Sequence, residues 1–249
     1  MRSTMVLAAL FWVMSSALHG ATSSAPEFQP AEMKRLVKPL GDGLFEIGEV
    51  RLNKPARSIQ FPAKVNLRDV LIEYAIVGKV GKLHEALLST EVPPTHIHIA
   101  MLLLGTKDMR PKSHQTSLPP GHPIDIFLDW ESEGMKHRGR IEDWIIVEKD
   151  KRPVPKGMWV YSGARVDDGY FTANTDESIA AIILDIDALV NNARHGNEND
   201  EIWYPNEDKI PALGTPVQVT FKLLDTYTIP PAESGFRSRG SQPSTAPNP

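Results

Sequence analysis

Apolar and polar residues alternate at strand-like spacing over much of the chain. The stretches RSIQFPAKVN (57–66), RDVLIEYAIVG (68–78), HEALLST (84–90), PIDIFLDWE (123–131), MWVYSGARV (158–166), GYFTAN (169–174), SIAAIILD (178–185) and TPVQVTFKLL (215–224) all read as strands. Gly78-Lys79-Val80-Gly81-Lys82 joins the second and third of these and reads as a hairpin loop, and VDDG at 166–169 has turn chemistry. Helix is scarcer. THIHIAMLLLG follows Pro93-Pro94, offers Thr95 as a cap and stops at Gly105, whereas IEDWIIVEKD (141–150) and IDALVNNA (186–193) fit either state. There is no strand–helix alternation and no G-x-G-x-x-G. The expected fold class is therefore α+β: a β-rich, mainly antiparallel sheet domain with a few short helices.

The two ends of the chain break this pattern. Residues 1–21 read as a signal peptide: Arg2 precedes an apolar run from Met5 to Leu18, which is short for a membrane span of ~20 residues, and small residues place the cleavage site between 17 and 23. Residues 22–42 read as a linker and lead-in, 43–229 as a single domain, and 230–249 as a disordered tail without an apolar period. The expected location is extracytoplasmic, periplasmic or secreted, with no transmembrane segment in the mature chain.

Composition narrows the chemistry. The chain has 249 residues with a formal net charge of -4 and no cysteine. Without a basic stripe there is no phosphate-binding surface, so nucleic acid is excluded as a partner. Without cysteine there are no disulfides, thiolate zinc sites or cysteine nucleophile.

The densest candidate chemistry lies in GKLHEALLSTEVPPTHIHIAMLLLG, residues 81–105. If the hairpin pairs symmetrically about Val80, Glu73 and Glu85 sit diagonally on one apolar face. Desolvation and like-charge repulsion would then raise their pKa values, which is one way to make a general acid or a pair of oxygen ligands. His84-Glu85 begins like the zinc-binding H-E-x-x-H, but Leu88 occupies the second histidine's place. His96 and His98 would share a face on a strand, but on the favoured helix they point about 200° apart. There His98 falls on the buried side. Glu73, His84, Glu85 and His98 are thus the candidate catalytic residues, and His84, Glu85 and His98 the candidate ligands of a divalent metal.

The series LIEYAIVGKVGKLHEALL, HIHIAMLLLG, WVYSG, GYFTAN and GTPVQVTF, in this order, resembles the YdjY-domain family of bacterial exported proteins over roughly residues 35–225. The matching positions are Glu73, Gly81, His84, Glu85, His98, Gly105, Trp159, Ser162, Gly163 and Ala173. The family tends toward aspartate near position 174, where this chain has Asn174. The resemblance implies export and the β-rich fold, favours His84, Glu85 and His98 over His96, and supplies no reaction, because the domain's function is unknown.

Other motifs are weaker. Trp159 and Tyr161 at period two read as packing before a ligand wall. Ser162-Gly163 lacks the flanks of a nucleophile elbow. Asn197, Asn199, Glu201 and Asp208 have the spacing of a calcium loop, but Ile202 stands where the turn glycine is needed. Three readings follow: a binding or interaction module of the cell envelope, with an envelope protein or a small molecule as partner; a metal-assisted or acid/base hydrolase using the Glu/His cluster; and a purely structural envelope protein.

Overall fold

The computed structural model describes residues 35–107, 121–147, 152–163, 166–167 and 170–225. The expected signal peptide, the linker up to residue 34 and the tail lie outside them, as does most of the proline-rich stretch 109–123. The strands are β1 (Val37–Gly41), β2 (Leu44–Ile47), β3 (Val50–Asn53), β4 (Ser58–Val65), β5 (Tyr74–Gly78), β6 (Ala86–Thr90), β7 (His122–Ser132), β8 (Met135–Arg140), β9 (Ile145–Val147), β10 (Arg152–Pro153), β11 (Trp159–Tyr161), β12 (Val166–Asp167), β13 (Tyr170–Phe171), β14 (Ser178–Ala181), β15 (Val190–Asn192), β16 (Trp203–Pro205) and β17 (Pro216–Leu223). Two helices, α1 (Pro94–Leu103) and α2 (Thr172–Asp176), and 3-10 turns at Leu83–Glu85 and Ile141–Trp144 complete the described elements.

Eight strands close into a barrel in the order β4-β17-β7-β11-β15-β14-β5-β6, with β6 returning to pair with β4. The expected mainly antiparallel α+β sheet is corrected by this closure. The barrel is mixed, because β5 pairs parallel with β6 and β14 parallel with β15. β4 uses one edge twice, pairing β3 through Ser58–Gln60 and β6 through Lys64 and Val65, so β1–β3 continue the sheet outside the ring.

Alternation explains what fills the barrel. Ile59, Phe61 and Val65 of β4, Val217, Val219 and Phe221 of β17, and Ile124, Ile126 and Leu128 of β7 point inward and are buried. Phe61 and Phe221 meet edge to face with ring centroids 5.1 Å apart. An eight-stranded barrel is just wide enough for side chains to fill, and each large side chain fully buried here contributes ~1.5–3 kcal/mol. The interior is a packed core.

The expected hairpin is the point at which the sequence reading fails. Parallel neighbours ordinarily need a crossover of a dozen residues or more, yet β5 is joined to β6 by Lys79 to Glu85 alone. The glycines serve a close approach, not a two-strand turn. A Cβ on Gly78 would strike the Glu177 side chain, and one on Gly81 would lie 3.0 Å from the Asp176 carbonyl. Glu177 pins the segment, its carboxylate accepting the Val80 N–H at 2.7 Å and its carbonyl the Gly78 N–H at 2.7 Å. A second short crossover, Ile182 to Leu189, joins β14 to β15.

Both mouths are covered. At one end α1 packs against β2, β3 and β4 and buries Ile97, Ile99, Ala100, Met101 and Leu103 against the core. The opposite end holds a buried ionic knot. Glu142, fully enclosed, accepts hydrogen bonds from Arg140 Nε at 3.3 Å, Arg194 at 3.2 Å and the Gly157 N–H at 2.7 Å. Arg194 also donates to Asn192 Oδ1 at 2.8 Å and the Pro155 carbonyl at 2.9 Å, and lies over the Trp159 ring. Truncating one member of such a group leaves buried charge without its partner. Glu142→Ala is expected to lower the unfolding free energy by ~3–5 kcal/mol, measured by urea denaturation.

Candidate functional site

The parallel register Tyr74↔Ala86 and Ile76↔Leu88 sets Glu73 beside Glu85 at the start of β5 and β6. Their backbones are joined by the Glu73 N–H donating to the Glu85 carbonyl at 2.9 Å. The Glu73 carbonyl in turn accepts from Ile182 at 2.8 Å and Ile183 at 3.1 Å. Glu73 is therefore bracketed by both crossovers. Its carboxyl is raised above its ordinary pKa by burial first, then by Glu85 and Asp200, against the opposing charges of Lys82 and His84. His84 sits on the 3-10 turn with its side chain 80% exposed and its Nε2 3.5 Å from Glu85 Oε2. Three of the four residues singled out by sequence thus come together, through parallel pairing and not across a hairpin.

Behind this surface lies a group the sequence reading missed. Tyr74, 1% exposed, receives a hydrogen bond from Lys82 Nζ at 2.5 Å and donates to Asp185 Oδ2 at 3.1 Å. Lys82 also stands 4.7 Å above the tyrosine ring. Burial and the Asp185 carboxylate push the tyrosine hydroxyl far above its ordinary pKa, so it stays protonated and donating. Tyr74 and Asp185 are 111 positions apart, and no local motif marks them as partners.

His98 lies elsewhere. On α1, Nδ1 is hydrogen-bonded to Tyr161 OH at 2.6 Å and the ring packs 4.8 Å from Phe171. Following the registers round the barrel, Tyr161 stands at the end where β5 finishes, whereas Glu73 and Glu85 precede the strands at the other end. The structure does not bring His98 to the glutamates. Among the described residues no three His, Asp or Glu side chains are placed to hold a metal ion. The donor set proposed for a divalent metal is not assembled. His96 packs its ring on Gly48, where a Cβ would collide with it, and burial lowers its pKa against the opposing pull of Glu49.

The remaining motifs resolve into architecture. Trp159 and Tyr161 face the barrel interior beside Ile124 and Val190. Ser162 is buried, and its N–H is bound to the Leu189 carbonyl at 3.0 Å. Asn197 is buried and ties its side-chain amide to the Asn192 carbonyl at 2.8 Å, while Asn199 Oδ1 accepts the Glu201 N–H at 2.8 Å. These side chains shape turns within the 195–208 stretch. Asn174 Oδ1 accepts the Thr95 N–H at 3.2 Å and so caps α1 from a distant segment. An aspartate would suit the same position, since an anion is also stabilised at a helix N-terminus.

Two expectations follow. Because Glu73 has a folded pKa above its unfolded one, its favourable contribution is complete below the ordinary value of about 4.3 and is lost as pH rises through the raised value. Glu73→Gln removes that dependence, so urea unfolding at a series of pH values should show its stability gaining on wild type from pH ~4 to ~7. A difference independent of pH would contradict the arrangement. For the cap, Asn174→Ala should cost ~1 kcal/mol and Asn174→Asp nothing.

One family model, that of the YdjY domain, matches residues 50–222, a span running from β3 to β17. No curated protein and no solved structure matches the chain.

Proposed function

The chain belongs to the YdjY-domain family, and from that premise we propose that it is an exported binding module of the cell envelope, recognising a partner through the Glu73–His84–Glu85 surface. The observation that carries this reading is the persistence of two like-charged carboxyls at the mouth of a parallel strand pair, in reach of solvent. Neither is neutralised by a close ion pair with lysine or arginine among the described residues. Repulsion of this kind works against folding and is relieved when a cation arrives. Among the described residues the barrel interior is filled by apolar side chains, which favours recognition on the outside. The complementary partner chemistry is a lysine or arginine side chain on an envelope protein. Export is supported by the N-terminal pattern of Arg2 followed by the apolar run Met5 to Leu18.

The test is a displayed peptide library selected on the wild-type protein and on the Glu73→Gln/Glu85→Gln variant. Lysine- or arginine-bearing sequences should be enriched on wild type alone, while the variant unfolds at the same or higher urea concentration. Equal enrichment on both would overturn the reading. Fractionation of cells expressing the full chain checks export: the expected product is extracytoplasmic, with a new N-terminus between residues 17 and 23.

A second reading, acid–base hydrolysis, is favoured by the raised pKa of Glu73 beside Glu85. Turnover of chromogenic esters, glycosides or phosphoesters that disappears in Glu73→Gln would select it over simple binding.

A further inference from the structure

On the outer face of the barrel, Asn191, Ala181, Tyr74 and Ala86 form one row across β15, β14, β5 and β6. Tyr74, Ala86 and Ala181, with Val77 and Ala188, make a small buried cluster separate from the main core, and Leu83 packs against it. The lid over this cluster consists of the two crossovers themselves. Leu83 comes from the first and Ala188 from the second, so apolar contact here is supplied largely by small side chains. An alanine buries little area, and the hold of the lid therefore depends on its polar ties.

Backbone bonds through Glu73 and Glu177 hold each crossover in place, and the tie that joins the two side chain to side chain runs through a single hydroxyl. Lys82, on the first crossover, donates to Tyr74 OH; Tyr74 donates to Asp185 on the second. Asp185 is fixed in its own loop, its N–H donating to Asn191 Oδ1 at 2.9 Å and its Oδ1 accepting the Asp187 N–H at 2.9 Å. We infer that Tyr74 is a latch that couples the two crossovers, so that loosening the Lys82 side releases the loop 182–189 as well. The physical reason is cooperativity along the chain. The tyrosine O–H is polarised by the ammonium it accepts from, and this strengthens its donation to Asp185. Removing the ammonium weakens the second bond without touching it. Lys82 is solvent-exposed, and His84 and Glu85 follow it on the same crossover. Whatever engages that crossover is thereby felt on the far loop, and coupling of this kind is reciprocal.

The test needs no ligand, so its failure is distinguishable from failure of the recognition reading. Amide hydrogen exchange is measured on the full chain for wild type, Lys82→Gln and Asp185→Asn. Lys82→Gln should speed exchange at Asp187, Ala188 and Leu189 by about fivefold or more. Asp185→Asn should in turn speed Leu83 and Glu85. Tyr74→Phe, which removes both bonds, should reproduce both effects. Acceleration confined to the mutated crossover, with the other loop within about twofold of wild type, would overturn the latch. Lys82 lies on the surface, so this variant decides the matter even if Tyr74→Phe fails to fold.

Discussion

The return of β6 to β4 is the constraint on which the rest of the structure depends. Two residue pairs, Lys64↔Ser89 and Val65↔Leu88, turn a long sheet into a ring. Closing the ring leaves no free edge among its eight strands and forces their inward residues into one packed interior. It also fixes the chain path. β5 and β14 lie antiparallel at the centre of a four-strand segment, and each must reach a parallel neighbour in very few residues. The glycine-bearing first crossover and the Asp185-bearing second are the local solutions to that demand.

The surface proposed for recognition follows from the same closure. Parallel pairing aligns the residues just before β5 and β6, which are Glu73 and Glu85, and presents His84 beside them. An antiparallel hairpin of the same sequence would take its register from its turn. The parallel pair holds it through backbone bonds on both sides of Glu73. The barrel ends meanwhile do opposite jobs: α1 closes one mouth with apolar side chains, and the Glu142–Arg194 knot closes the other with buried charge. Such an ion group is weak evidence for net stability, since desolvation offsets much of its attraction. Its five or more directed bonds nonetheless fix where β11, β15, the Ile141–Trp144 turn and residues 155–157 meet.

The legibility of the sequence followed burial. β4, β7 and β17 have one face on the core and one on water, so their alternation was plain at 57–66, 123–131 and 215–224. The helix at 94–103 was marked by its proline pair and the glycine that ends it. β5, β6, β14 and β15 are covered on both faces, their residues uniformly buried. Alternation vanishes in such strands, and the Gly78–Gly81 spacing then mimics a turn. The candidate site was half legible for the same reason. Glu73 and Glu85 stood out as charges in apolar runs, and His84 as their neighbour. That His98 belongs to the opposite mouth, and that Tyr74 reaches Asp185, are consequences of closure that no short window of sequence contains.

The central claim is that parallel pairing, and not a hairpin, sets Glu73 and Glu85 together at the barrel mouth. The carboxyl carbons of selectively labelled glutamates report this directly when followed by NMR against pH. The account predicts that Glu73 titrates above the ordinary glutamate range and moves back toward it in Glu85→Gln, while Lys82→Gln moves it further up. A Glu73 resonance that titrates in the ordinary range and ignores the Glu85 substitution would contradict it.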